Sequence, residues 1–230
     1  QVDTSLCPTV QAVVSVFDSQ GQPVQGLTAS SFCVNEDGAP QAFTVTGAGQ
    51  SGSTLYVGVT IDNSGSLGST QFQLEKDAAK TFVGLLGASD QVAVWGFDSQ
   101  VDFVIDFTAD KQALYAAVDG YAYSGGSTAF FDATWDALVG TAARSGRKAV
   151  LAMTDGEDNS SSHSENELIA YAQQARIPIY TIGFGSPDDV VMQRIADQTG
   201  GRYYRGTDAG ALQQILTDIG NLINNQYVIS

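Results

Sequence analysis

The chain has 230 residues, of which 43% are hydrophobic, so it is long enough for one full core and a small appendage. Its formal net charge is −15, from 25 acidic and 10 basic residues, which argues against nucleic acids and anionic membrane surfaces as partners. No apolar run approaches the roughly 20 residues that span a bilayer, so we expect a soluble chain without direct membrane insertion.

The first fifty residues differ in pattern from the rest of the chain. They hold β-like apolar runs at residues 10–17 and 43–46, and a turn at Glu36–Pro40. A further β-like run, residues 226–229, follows the last helical pattern. We expect these short runs from the two chain ends to pair with each other.

The chain ends should therefore form a subdomain of their own. We predict a small β subdomain, residues 1–50 completed by 225–230, and a larger α/β domain, residues 51–224. The only two cysteines, Cys7 and Cys33, both lie in the first segment, and we expect them to form a disulfide worth about 3 to 4 kcal/mol of unfolded-chain entropy. A disulfide favours an oxidising compartment, so the expected location is secreted or at the cell surface.

From about residue 54, short apolar runs alternate with longer amphipathic ones, which is typical of a parallel sheet covered by helices. The apolar runs predict strands at residues 54–62, 91–97, 102–107, 148–154, 177–184 and 201–205. Apolar residues at helical spacing predict helices at residues 72–86, 110–118, 129–143, 164–175, 188–198 and 212–223.

Two predicted strands, 91–97 and 102–107, stand too close together for a crossover helix, so they must pair antiparallel at a sheet edge. The expected fold class is α/β, with a Rossmann-like, doubly wound and mostly parallel sheet that has one antiparallel edge strand. Sites in such sheets lie outside the carboxyl ends of the strands.

Oxygen-bearing side chains follow the predicted strand at residues 54–62. Asp62, Ser64 and Ser66 form an Asp-x-Ser-x-Ser loop at the end of a buried strand. Carboxylate and hydroxyl oxygens are ligands for hard divalent cations, so this loop predicts a metal site.

This pattern resembles the metal-ion-dependent adhesion site of von Willebrand factor type A domains. The resembled site also requires a Thr and an Asp from two later loops, and both are present: Thr128 follows paired glycines before a predicted helix, and Asp155 follows a second buried run. The resemblance therefore implies that Asp62, Ser64, Ser66, Thr128 and Asp155 hold one cation. Ser127 is an alternative hydroxyl beside Thr128. Two carboxylates and three hydroxyls suit Mg²⁺, Mn²⁺ or Ca²⁺ and disfavour Zn²⁺. It further implies a protein ligand whose Asp or Glu completes the metal coordination.

The ends of the chain carry a second resemblance. Residues 17–27 and 35–41, together with residues 226–229, are similar to the segments that flank the type A domain in a group of secreted bacterial proteins. We therefore expect a cation-dependent protein-binding or adhesion module of a secreted or cell-surface protein, and not an enzyme.

Other interpretations stay open at this point. The serines could merely cap the following helix, and the metal could merely stabilise a structural or assembly domain of a larger surface protein. A metal-dependent hydrolase lacks a suitable base, because the single histidine, His163, lies in a serine-rich segment that we expect to be exposed. Asp62 as an aspartyl nucleophile is the best enzymatic alternative, and Glu157 with Asp158 is a weaker candidate for a second cation site.

Overall fold

The computed structural model describes residues 2–3, 10–19, 23–47, 53–66, 68–206 and 208–230. The strands are β1 Val2–Asp3, β2 Gln11–Val14, β3 Asn35–Glu36, β4 Ala39–Pro40, β5 Val45–Gly47, β6 Leu55–Asp62, β7 Gln91–Phe97, β8 Val101–Thr108, β9 Arg147–Thr154, β10 Ile179–Gly183, β11 Tyr203–Arg205 and β12 Tyr227–Ile229. The helices are α1 Gly68–Leu85, α2 Lys111–Gly120, α3 Phe130–Ala142, α4 Glu165–Ala175, α5 Asp189–Thr199 and α6 Ala209–Asn224.

The large sheet has six strands in the order β11-β10-β9-β6-β7-β8. All neighbouring strands are parallel except β7 and β8, which pair antiparallel. Only three residues connect β7 to β8, which leaves no room for a crossover helix. This confirms the predicted α/β fold class with one antiparallel edge strand.

Strand β6 is central to this sheet, and seven of its eight residues are buried. Successive side chains point to opposite faces, so both faces of the sheet are covered. Helices α1 and α3 both contact β6. Gly58 permits the close approach of α3, because a Cβ there would lie 2.8 Å from Thr141 Oγ1 and 3.1 Å from the Ala137 carbonyl oxygen.

Helices α3, α4 and α5 share one hydrophobic core with strands β7, β9 and β10. Two of them begin at capping residues: the Asp188 carboxylate accepts hydrogen bonds from two amides of the first turn of α5, and Ser164 forms a capping box with Glu167 at the start of α4. Capping fixes where each helix begins after its loop.

The contacts within the chain define two compact units, residues 1–53 with 218–230 and residues 54–217. The smaller unit contains a four-stranded antiparallel sheet in the order β1-β2-β12-β5. The C-terminal strand β12 therefore lies between two N-terminal strands. This confirms that the chain ends form a small sheet, whereas the predicted domain bounds stay a prediction.

Side chains of the smaller unit support this pairing. The Tyr227 hydroxyl donates to the Val24 carbonyl at 2.8 Å and accepts from the Leu27 amide at 3.0 Å. The turn predicted at Glu36–Pro40 is a tight hairpin between β3 and β4. Its two central residues, Asp37 and Gly38, have φ angles of 50° and 81°, the left-handed pair that such hairpins require.

The structure describes only one of the two cysteines of the predicted disulfide. Cys33 is exposed and free among the described residues, and Cys7 lies outside them. The Cys7–Cys33 bridge therefore stays a prediction. None of the helices in the described part of the chain has the length and apolar character needed to cross a membrane.

Candidate metal centre

Asp62 is the last residue of β6 and is fully buried. Its Oδ1 atom accepts a hydrogen bond from the Ser64 amide at 2.7 Å, and its Oδ2 atom accepts one from the Thr154 hydroxyl at 2.6 Å. The Asp62 amide donates to Oε2 of Glu75 on α1 at 2.9 Å. Hydrogen bonds therefore fix both the backbone amide and the carboxylate of Asp62.

The two serines link Asp62 to the second carboxylate. The Ser64 and Ser66 hydroxyl oxygens are 3.0 Å apart, and the Ser66 hydroxyl donates to Asp155 Oδ1 at 2.7 Å. The Asp155 amide also lies 3.4 Å from Asp62 Oδ2. Four of the five predicted ligands thus form one continuous chain of polar contacts at the carboxyl ends of β6 and β9.

Thr128 approaches the same place from the loop before α3. Gly156 lies between it and Ser66: a Cβ on Gly156 would be 3.4 Å from the Ser66 hydroxyl oxygen and 3.5 Å from the Thr128 hydroxyl oxygen. Thr128 is buried, whereas the alternative hydroxyl, Ser127, is exposed. The structure therefore brings Thr128 together with the other four residues.

The carboxylates sit in an environment that disfavours their negative charge. Burial raises the pKa of Asp62 to about 6; hydrogen bonds from Ser64 and Thr154 lower it, and the charge of Asp155 raises it further. Burial likewise raises the pKa of Asp155, against a lowering hydrogen bond from Ser66. The pKa of Glu75 lies well above its ordinary value, through burial first and the charge of Asp62 second.

No cationic side chain in the described residues pairs with Asp62 or Asp155. Nor do those residues contain a group of three or more His, Cys, Asp or Glu side chains placed to hold a metal. The predicted set has only two carboxylates, and its other donors are hydroxyls. Its oxygen donors and missing positive charge fit a hard divalent cation.

Several residues around this centre were missed by sequence reasoning. The Thr154 hydroxyl donates to the Asp62 carboxylate, and the Glu75 carboxylate accepts a hydrogen bond from the Asp62 amide. Asn63 uses its side chain to hold the next loop, because its Oδ1 accepts from the Ser124 amide at 2.9 Å and its Nδ2 donates to the Ala122 carbonyl at 3.0 Å. Position inside the Asp-x-Ser-x-Ser loop was the only available signal for Asn63.

Two interpretations of the serine-rich loop change with the structure. His163, predicted to be exposed, is half-buried: its ring stacks on Trp135 with centroids 4.2 Å apart, and its Nδ1 lies 2.6 Å from Asp132 Oδ1. The Asp158 carboxylate accepts from the Phe131 amide at 2.9 Å at the start of α3. These contacts give the two side chains structural roles.

An open cavity of about 270 Å³ borders Gly156. Its lining combines apolar residues from the start of α3 and from α5 with four acidic residues. The carboxylates are those of Glu157, Asp158, Glu165 and Asp188. One of them, Glu165, is paired with Arg194. The surroundings of the centre are thus predominantly acidic.

Residues 57–218, well over half of the chain, match the von Willebrand factor type A domain. The chain belongs to this family. Type A domains generally bind proteins, are often adhesive and are usually non-catalytic. The resemblance inferred from the motif is therefore confirmed at the level of the family, and the metal-binding role of the five residues stays a prediction.

Among curated relatives, an uncharacterised UPF0353 protein of Mycolicibacterium vanbaalenii is 24% identical over 181 residues, covering 66% of this chain and 54% of its own length. This type A chain thus spans about half the length of the curated relatives it matches. The likeness gives no function, because the relative has none established.

Solved structures share the fold at low identity. A von Willebrand factor type A protein from Catenulispora acidiphila superimposes with a TM-score of 0.65 at 20% identity, covering 80% of this chain and 49% of its own. Proximal thread matrix protein 1 from the mussel byssus, with zinc in its metal-ion-dependent adhesion site, gives a TM-score of 0.70 at 20% identity, covering 82% of this chain and 49% of its own.

Proposed function

We propose that this type A domain is a cation-dependent protein-binding module, and that Asp62, Ser64, Ser66, Thr128 and Asp155 hold the cation. The observation that supports the proposal most is the unbroken set of contacts from Asp62 through the two serines to Asp155. It joins two carboxylates that have no cationic partner among the described residues.

When bound, a divalent cation would supply positive charge at this centre and an exchangeable position for an oxygen of the partner. The protein's own residues have two tasks. The hydroxyls of Ser64, Ser66 and Thr128 provide neutral donors, and the carboxylates of Asp62 and Asp155 balance the charge. The small donor charge leaves the cation electrophilic toward a carboxylate.

The donor set favours Mg²⁺, Mn²⁺ or Ca²⁺, since it contains no thiolate or imidazole. The mussel protein carries zinc in its own site. Zn²⁺ therefore belongs in any comparison of metals for this chain. We expect it to bind less tightly than its position in the Irving–Williams order of affinities would suggest.

The partner we propose is a protein that is neutral or basic overall and presents one exposed Asp or Glu. A net charge of −15 and the acidic cavity beside Gly156 repel acidic surfaces at long range, over about 8 Å at physiological salt. Direct coordination by a single carboxylate is not screened in this way. We also propose a secreted or cell-surface location, which the predicted Cys7–Cys33 bridge supports.

The test is a capture experiment from the native extracellular fraction, with the chain immobilised in Mg²⁺ or in chelator. We expect a specific protein to bind in Mg²⁺, to elute with chelator and to be absent with Thr128→Ala. Capture that is equal in chelator would favour the structural or assembly alternative. Turnover in a phosphatase and esterase panel, lost in Asp62→Ala, would favour the hydrolase.

A further inference from the structure

The Thr128 side chain lies in a segment without regular structure. Residues 121–129, between α2 and α3, form neither helix nor strand. The amide and carbonyl of Thr128 therefore receive no partner from a sheet or helix ladder, although the residue is only 4% exposed. Buried backbone groups need hydrogen bonds, so other parts of the chain must supply them.

The loop that carries Asp155 supplies those bonds. The Thr128 amide donates to Oδ1 of Asn159 at 2.9 Å. In return, the amides of Asn159 and Ser160 donate to the Thr128 carbonyl oxygen at 3.0 and 3.3 Å. The Asn159 side chain thus supplies the hydrogen bond that a neighbouring strand would otherwise supply. It fixes the backbone that carries the Thr128 hydroxyl.

The other contacts of the segment hold the neighbours of Thr128, and after it the Ala129 amide donates to the Asp98 carbonyl oxygen at 2.8 Å. Asn63 binds Ala122 and Ser124, and the Ser127 amide donates to the Ser99 hydroxyl at 2.9 Å. The only side-chain bond to the Thr128 backbone itself is that of Asn159, among the residues described. Its loss would release the amide of the ligand residue without touching any proposed ligand.

We infer that Asn159 is a positioning residue for the metal centre, which acts by holding Thr128 at the correct distance from Ser66 and Asp155. This inference rests on the proposed function. It also explains why an exposed asparagine stands four residues after Asp155: the same loop delivers one carboxylate to the centre and fixes the hydroxyl opposite it.

The test compares metal affinity and amide protection in three variants of the whole chain. Asn159→Ala removes the acceptor, and we expect it to weaken Mg²⁺ binding on the order of tenfold by calorimetry. Asn159→Asp keeps an oxygen acceptor and should bind within about threefold of the parent. Ser160→Ala is the matched control, because among the described contacts Ser160 contributes only its backbone amide.

A double-mutant cycle separates positioning from a general structural role. In a Thr128→Ala background, Asn159→Ala should cost less than about twofold in affinity, since the hydroxyl it positions is already gone. A full tenfold loss in that background would overturn the inference. So would equal losses in Asn159→Ala and Asn159→Asp.

Hydrogen exchange of the Thr128 amide in metal-free protein gives a readout that does not depend on the metal. Protection should fall in Asn159→Ala and persist in Asn159→Asp, and unchanged protection in both would contradict the proposed contact. If the parent binds no Mg²⁺, the metal site itself is rejected together with the positioning role. A parent that binds normally while Asn159→Ala matches it would reject only the present inference.

Discussion

The two sides of the candidate metal centre are held by different means. Asp62 and Asp155 emerge from β6 and β9, which are neighbouring, buried, parallel strands with a continuous ladder of hydrogen bonds. Thr128 emerges from a segment without regular structure, held by Asn159 and by contacts of its neighbours. The sheet places the carboxylates, whereas hydrogen bonds from other loops place the threonine.

The two sides of the centre should therefore respond differently to substitution. The carboxylate side is part of the sheet, so its geometry should persist as long as the domain is folded. The threonine side depends on a few hydrogen bonds, each worth about 0.5 to 1.5 kcal/mol net. We therefore expect metal affinity to be lost at the threonine side by substitutions that leave the domain stable.

The largest effect is expected at Asp62, on the side held by the sheet. Asp62→Ala removes a carboxylate that binds the Ser64 amide and the Thr154 hydroxyl, so it should abolish detectable Mg²⁺ binding while the domain stays folded. Calorimetry with circular dichroism measures both. Asp77→Ala, an exposed acidic residue on α1, is the control for net charge. Parent-like affinity in Asp62→Ala would show that the site is assigned wrongly.

A smaller but still large effect is expected at Thr128. Thr128→Ala removes a neutral oxygen donor and should weaken Mg²⁺ binding by about a hundredfold, or roughly 2.7 kcal/mol. Thr128→Ser keeps the hydroxyl and should restore most of the affinity. The melting temperature of the metal-free protein should be nearly equal in both variants.

A serine variant as weak as the alanine variant would mean that the hydroxyl is not the group that matters. In that case the methyl group of Thr128, or the packing of its loop, would carry the effect. The two sides of the centre would then differ in packing and not in coordination.

The smallest effect is expected where the two sides meet, at Gly156. A methyl group there would contact the hydroxyls of Ser66 and Thr128 at 3.4 and 3.5 Å, so Gly156→Ala should crowd the cation and reduce affinity by about tenfold. Gly120→Ala is the matched control, because a Cβ at Gly120 meets nothing within 4 Å. Equal calorimetric affinity in the two variants would place the cation away from Gly156.

Much of the large unit could be predicted from the sequence. Strands β6 and β9 are nearly continuous apolar runs, because they are buried on both faces, and their ends carry the polar residues that the fold brings together. The short β7–β8 connection by itself determined the antiparallel edge. The Asp62 loop was therefore visible as a spacing pattern, whereas Asp155 was identified through the resemblance.

The threonine side was visible only as a resemblance, since no periodicity predicts where an irregular segment lies. The contacts that hold it join residues far apart in sequence, such as Asn63 with Ser124 and Asn159 with Thr128. A single sequence gives no signal for such pairs. For the same reason His163 was predicted to be exposed, although its stacking partner Trp135 belongs to another element.

The most direct test of the account is a crystal structure of the chain grown with Mn²⁺, located by its anomalous scattering. We predict one strong peak at the carboxyl ends of β6 and β9, coordinated by oxygens of Ser64, Ser66 and Thr128, with Asp62 and Asp155 beside it. A peak that lies elsewhere, or no peak at this centre at saturating Mn²⁺, would contradict the central claim that these residues form a metal site.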